Sequence, residues 1–116
     1  MAGTPNQGRI YRGQPTTSVT TIYTAPTNTT PNPSPNATAI IKDIWIANTI
    51  ATAATITLGI GGVTSAYQLL PTLSVGANDV KILGGLNLEL LASETLQALQ
   101  GTSGAITLTI SGIEVV

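Results

Sequence analysis

The last dozen residues place the tightest constraint on the fold. From Ala105 to Glu114 the chain reads AITLTISGIE, so on an extended strand Ile106, Leu108 and Ile110 fall on one side and Thr107, Thr109 and Ser111 on the other. A helix would scatter these six residues around its axis, whereas a strand with one buried face sorts them. The pattern recurs upstream. Ala53 to Ile60 sets Ala54, Ile56, Leu58 and Ile60 inward against Thr55 and Thr57, and Leu86, Leu88 and Leu90 alternate with Asn87 and Glu89. Thr17 to Thr24 is rich in β-branched residues. Ala37 to Asn48 (ATAIIKDIWIAN) reads as a central strand with Ile40, Lys42, Ile44 and Ile46 on one face and Ile41, Asp43 and Trp45 on the other. Shorter strands are expected over Ser65–Pro71 and Asn78–Leu83.

Turn signals separate these runs at short, even spacing, which predicts an all-β fold: an antiparallel β-sandwich or jelly-roll-like domain over residues 17–116. Gly59-Ile60-Gly61-Gly62 reads as a hairpin turn, because a phosphate-binding loop would need a following Lys-Ser/Thr and a helix. A helix over Leu88–Gln100 competes with the strand reading, since Leu, Ala, Glu and Gln favour helix and Ser93 could cap it. The alternation favours strand Leu86–Leu90, a turn at Ala92–Ser93 and strand Glu94–Ala98. Ile44 to Val63 lacks charge and is long enough to span a bilayer, but its threonines, Asn48 and closing Gly61-Gly62 read as strand and turn.

Two segments stand apart. Residues 1–16 are rich in Gly, Pro and Gln with little apolar content beyond Ile10 and Tyr11, which predicts an extended N-terminal arm. Ala25 to Asn36 (APTNTTPNPSPN) carries four prolines and reads as a loop between strands.

Chemistry is sharply limited. Without Cys or His the chain cannot build thiolate or imidazole metal sites, disulfides, or the common Ser-His and Cys-His nucleophile pairs. Asp79 beside Lys81, and Lys42 beside Asp43, read as ordinary ion-pairing neighbours, and Asn78 with Asp79 lacks the spaced oxygen ligands of a calcium loop. No catalytic residue, metal site or cofactor is assigned, and no enzymatic activity is expected. The net charge is −1 and only Arg9 and Arg12 cluster, so neither nucleic acid nor a membrane is expected as a partner. The start, Met-Ala-Gly-Thr-Pro, has no secretory pattern, so the product is expected in the cytoplasm, and the sequons at Asn28 and Asn36 read as chance in a Thr-rich chain.

Charged residues make up 8% of the chain, where about a quarter is usual. Strand edges rich in Thr and Ile without Lys or Glu invite pairing with another chain. This composition predicts a subunit whose faces and edges are covered by other copies: a homo-oligomer, for instance a trimer, with the arm reaching to a neighbour. Arg9, Tyr11 and Arg12 are the candidate arm contacts, since Arg and Tyr favour interfaces. Trp45 and Tyr67 are candidates for packing or, alternatively, for a sugar-stacking surface.

Several motifs resemble those of small β-rich structural proteins of tailed bacteriophage particles: Gly13-Gln14-Pro15, Ile22-Tyr23-Thr24-Ala25-Pro26, Ala39 to Thr49, Ala54 to Gly62, and Ala105 to Val115. The resemblance covers about residues 13 to 116, and Thr30 to Asn36 departs from it as an insertion in the first loop. It implies a non-enzymatic virion component, a capsid decoration or a head, neck or tail accessory protein, made in the host cytoplasm. Its implied partners are itself and the major capsid or neck and tail proteins. The alternative expectation is a receptor- or glycan-binding module at a tail or fibre tip, contacting through Trp45, Tyr67 and the Pro-rich loop.

Overall fold

The computed structural model describes residues 5–26 and 38–115, and over these it is all-β. Nine strands form: β1 (Pro5–Gly13), β2 (Thr20–Thr24), β3 (Thr38–Asn48), β4 (Ala54–Ile60), β5 (Gln68–Val75), β6 (Val80–Leu83), β7 (Leu88–Leu91), β8 (Thr95–Gln100) and β9 (Ile106–Val115). They make two antiparallel sheets that pack as a β-sandwich. Sheet A has the order β1-β9-β3-β6, with β7 also on β3, and sheet B the order β2-β8-β4-β5. β7 pairs with Thr38–Ile41 and β6 with Ile44–Ala47, so the two act as one strand interrupted at residues 84–87. Counted once, they leave eight strands, with β8 and β9 becoming seventh and eighth. The sheet orders are then first-eighth-third-sixth and second-seventh-fourth-fifth, which is the jelly-roll arrangement.

Alternation makes the core. Ile106, Leu108 and Ile110 of β9 are fully buried beside Ile41, Ile44 and Ile46 of β3, and they face Ile56 and Leu58 of β4 and Leu96 and Ala98 of β8. Each such Ile or Leu contributes about 1.5–3 kcal/mol when taken wholly out of water. Two buried amides stitch the connections to this core. Asn48 Nδ2 donates to the carbonyls of Thr52, Val75 and Gly76 at 2.8–3.0 Å, while its Oδ1 accepts from Ile50 N at 3.1 Å. Gln100 Oε1 accepts from Ile106 N at 2.7 Å and its Nε2 donates to Pro15 O. The β4–β5 hairpin turns at the expected glycines: a Cβ on Gly59 would lie 1.8 Å from Gly62 O, and Gly61 has φ +76. Between β7 and β8 the chain turns at Ala92–Ser93, with Ser93 at φ 68, and no helix forms among the described residues.

Three expectations are altered. Residues 5–13 of the predicted arm are extended, but they form strand β1 along β9 of the same chain, with Ile10 and Tyr11 packed on the core. Backbone pairing supplies what the segment's poor apolar content could not, so these residues belong to the sandwich. On β3, Ile40 does not share the face of Ile44 and Ile46. The register shifts between Ile41 and Asp43, a bulge at Lys42 that reverses the phase, so Ala39 and Ile41 point inward with Ile44 and Ile46. A second shift lies across β9 from it, between Arg9 and Tyr11 of β1. Gly112 sits between the two bulges, where a Cβ would lie 2.1 Å from Ile40 O and 2.7 Å from Ile10 Cδ1. Third, β5 starts and ends later than expected and keeps Pro71 inside it, followed by Thr72 at φ 42, which an edge strand tolerates. Both sequons and the Pro-rich run from residue 27 to 36 lie outside the described residues.

Candidate interaction surface

The outer face of sheet A gathers the residues that sequence reasoning held apart. Strand register sets Arg12 opposite Thr109, Thr109 opposite Trp45, and Trp45 opposite Ile82, so one row crosses all four strands. Directly opposed residues share a face with Cβ atoms about 4.5–5.5 Å apart. The next row up pairs Thr107 with Ala47 and Ala47 with Val80, and the row below pairs Arg9 with Ser111 and Ser111 with Asp43. Trp45 is 49% exposed, Ile82 50% and Val80 44%. Leu91, further down the same face opposite Thr38, is 56% exposed. Four of the six large apolar side chains that stand in solvent among the described residues therefore lie on this one face. Trp45, Ile82 and Val80 adjoin one another in neighbouring rows, while Leu91 stands apart beyond the Asp43 row. An apolar cluster such as the first three marks an interaction site far more often than isolated exposed residues do.

The polar groups around the patch are few and mostly engaged in holding the fold. Lys42 Nζ donates to Asn87 Oδ1, and Asp43 Oδ2 accepts from Ser111 Oγ at 3.5 Å. The Asp79 carboxylate accepts from the adjacent Val80 N at 2.8 Å, and Glu94 Oε1 accepts from Leu91 N at 2.7 Å. Asp79 thus caps the start of β6. On the inner side, Tyr23 Oη of sheet B donates to Glu114 Oε2 of sheet A, a clasp between the sheets. Burial, and then the bond to Glu114 and its negative charge, push the Tyr23 hydroxyl well above the ordinary phenol range. Burial also raises Tyr11.

The five residues singled out by sequence divide clearly. Arg9 and Arg12 project from the outer face of β1, while Tyr11, beside the bulge, turns inward against the core. Trp45 shares the Arg12 row. Tyr67 is 54% exposed but sits in the β4–β5 connection of sheet B, against Gly62, so it does not join Trp45 in one stacking platform. Val80, Ile82 and Leu91 were missed as surface residues. For Val80 and Ile82 the signal was present in their alternation with Lys81, but only the pairing with β3 shows which side they take.

The sandwich is also open along one flank. Between β5 and the β6–β7 edge lies a cavity of about 430 Å³ lined by Ile44, Leu69, Leu70, Leu83, Leu86 and Leu88, with Asn87 at its margin. No helix among the described residues is long and apolar enough to cross a membrane.

No protein-family model matches the chain, and no curated protein matches it. Among solved structures, a chain in a structure of infectious bursal disease virus, Gt strain, is similar over 96% of this chain and 32% of that one, with 13% identity and a TM-score of 0.39. This chain thus spans about a third of the length of that one. Similarity at that level is too loose to establish a shared fold.

Proposed function

We propose that the chain is a non-enzymatic structural subunit of a virus particle, and that it works by covering its sheet-A surface with other subunits. The carrying observation is the outer face of sheet A, where Trp45, Val80, Ile82 and Leu91 stand in solvent on a domain with only nine charged residues. A lone domain with so little charge and such a patch favours association. The jelly-roll arrangement is compatible, since it is widely used by capsid domains, although it serves lectins and cupins equally well. Within virus particles, the motif resemblance favours a tailed bacteriophage, with the chain as a capsid decoration or a head, neck or tail accessory protein. Self-association comes first, and contact with the major capsid or the neck and tail proteins follows it. Neither a nucleic acid nor a membrane is a partner on this reading.

Attachment through a free arm needs revision in mechanism. Because β1 is part of sheet A, removing residues 1–15 would strip Ile10 and Tyr11 from the core and leave β9 as an unpaired edge. Arg9 and Arg12 act from the surface of a docked strand. The test is quantitative mass spectrometry of purified particles from a host that expresses the chain. Reproducible copies per particle support the reading, with hundreds indicating a shell decoration and a dozen or fewer a neck or tail component. Particles free of the chain would overturn it.

A further inference from the structure

Sheet A and sheet B end differently. In sheet B, β5 is blunted by Pro71 and by the left-handed Thr72, and β2 has only five residues. In sheet A, β1 presents nine residues with no proline after Pro5, and the opposite edge is the β6–β7 pair. Among the described residues neither edge of sheet A is paired on its outer side. These edges also carry charge, contrary to the expectation of uncharged edges, and the charges differ. β1 bears Arg9 and Arg12, whereas the other edge bears Asp79, Lys81 and Glu89, with Lys42 and Asp43 just behind it and Glu94 in the following turn.

We propose that copies of this chain join head to tail through sheet A, the β1 edge of one copy adding to the β6–β7 edge of the next. This rests on the reading of the chain as a self-assembling subunit and names the partner as a second copy. Three geometric facts support it. β1 and β3 both run antiparallel to β9, and β6 and β7 run antiparallel to β3, so a following β1 continues the alternation as an antiparallel neighbour. β6 and β7 together span the length of β3 from Thr38 to Ala47, which matches the nine residues of β1. Along the strand axis, Arg9 lies level with Asp43 and Arg12 with Trp45, between the level of Glu89, which is opposite Ile40, and that of Asp79, which follows Ala47.

Charge excludes the obvious rival. Two β1 edges paired about a two-fold axis would bring four arginines together, and like charges across a strand pair are unfavourable. The head-to-tail contact instead sets two guanidinium groups against an edge of net negative charge. It also places the next copy's Arg12 in the row of Ile82 and Trp45, where its aliphatic stem and cationic head suit both. A repeated head-to-tail contact closes into a ring where the rotation allows it.

Charge reversal tests this directly, with sedimentation velocity as the readout and thermal melts to confirm folding. Arg9→Glu with Arg12→Glu makes both edges acidic, and Asp79→Arg with Glu89→Arg makes both basic. Each double variant is expected to self-associate at least tenfold more weakly than the parent, and an equimolar mixture, or all four changes in one chain, to recover assembly. Since the chain has no cysteine, a Gly8→Cys, Leu88→Cys chain, whose two positions lie in one row on the same face of sheet A, should give a ladder of cross-linked copies when treated with a short bis-maleimide, and Gly8→Cys alone should give none. An added Cβ at Gly8 meets no atom within 4 Å, so that variant leaves the fold intact. Assembly that ignores the reversals, or dimers cross-linked by Gly8→Cys alone, would overturn the edge contact while leaving the structural reading standing. A parent that never associates would overturn both.

Discussion

Replacing Trp45 by Thr separates a role in assembly from a role in folding. Trp45 is 49% exposed in the single chain. An indole side chain can bury about 150–250 Å², so roughly 100 Å² of it remains to be covered by a neighbour. At about 25 cal/mol per Å² that area contributes about 2.5 kcal/mol to each contact that covers it. Its loss should weaken association by roughly 30- to 100-fold, since about 1.4 kcal/mol is a factor of ten. The folding cost should be about 1 kcal/mol, because Thr keeps the strand preference and no core contact of Ile44 or Ile46 is touched. Sedimentation equilibrium gives the association constant and urea unfolding gives the stability. Weakened association in a stable, folded variant supports the account. A variant that assembles as tightly as the parent would refute the claim that this face is covered, and one that fails to fold would show that Trp45 is a core residue after all.

Other perturbations probe the framework. Asn48→Ala strands the Ile50 N–H and the carbonyls that Nδ2 serves, and should cost about 3 kcal/mol in urea unfolding, against about 1–3 kcal/mol for each buried group left unsatisfied; a loss under about 1 kcal/mol would mean that water replaces the amide. Gly112→Ala puts a methyl 2.1 Å from Ile40 O between the two bulges and should destabilise by about 2–3 kcal/mol, with a readout in the thermal midpoint. The Tyr23 hydroxyl holds its proton to higher pH in the folded state than in the unfolded chain, so the unfolded state releases protons first and stability should fall as pH rises above about 10. Tyr23→Phe should reduce that alkaline slope, leaving the smaller share due to Tyr11; an unchanged slope would show that the clasp to Glu114 does not carry it.

How much of this was legible depended on range. The strands β3, β4, β7, β8 and β9 followed from apolar residues set against polar ones, a local pattern, whereas β6 was expected only as a short strand and is exposed at three of its four positions. The phase of β3 was not legible: Ile40-Ile41-Lys42-Asp43 contains no mark of a bulge, which arises from pairing with Ser111 and Gly112, seventy residues away in the chain. The N-terminal segment was misjudged for a related reason. Composition describes what a segment can bury alone, but β1 is held by β9, and no local signal announces a partner a hundred residues off. Of the surface, Arg9, Arg12 and Trp45 were picked out by residue type, yet their union in adjoining rows, and their company with Ile82 and Val80, exists only through the register of four strands. Tyr67 was picked out on the same grounds and lies elsewhere, which shows how little residue type says about shared surface.

Sedimentation equilibrium on the unmodified chain, from low to high micromolar concentration at moderate salt, bears most directly on whether sheet A is covered by sister copies. The expected result is a concentration-dependent shift to a defined multiple of 11.8 kDa, weakening as salt screens the two edges. A single species of 11.8 kDa at every concentration and salt level would contradict the account at its root.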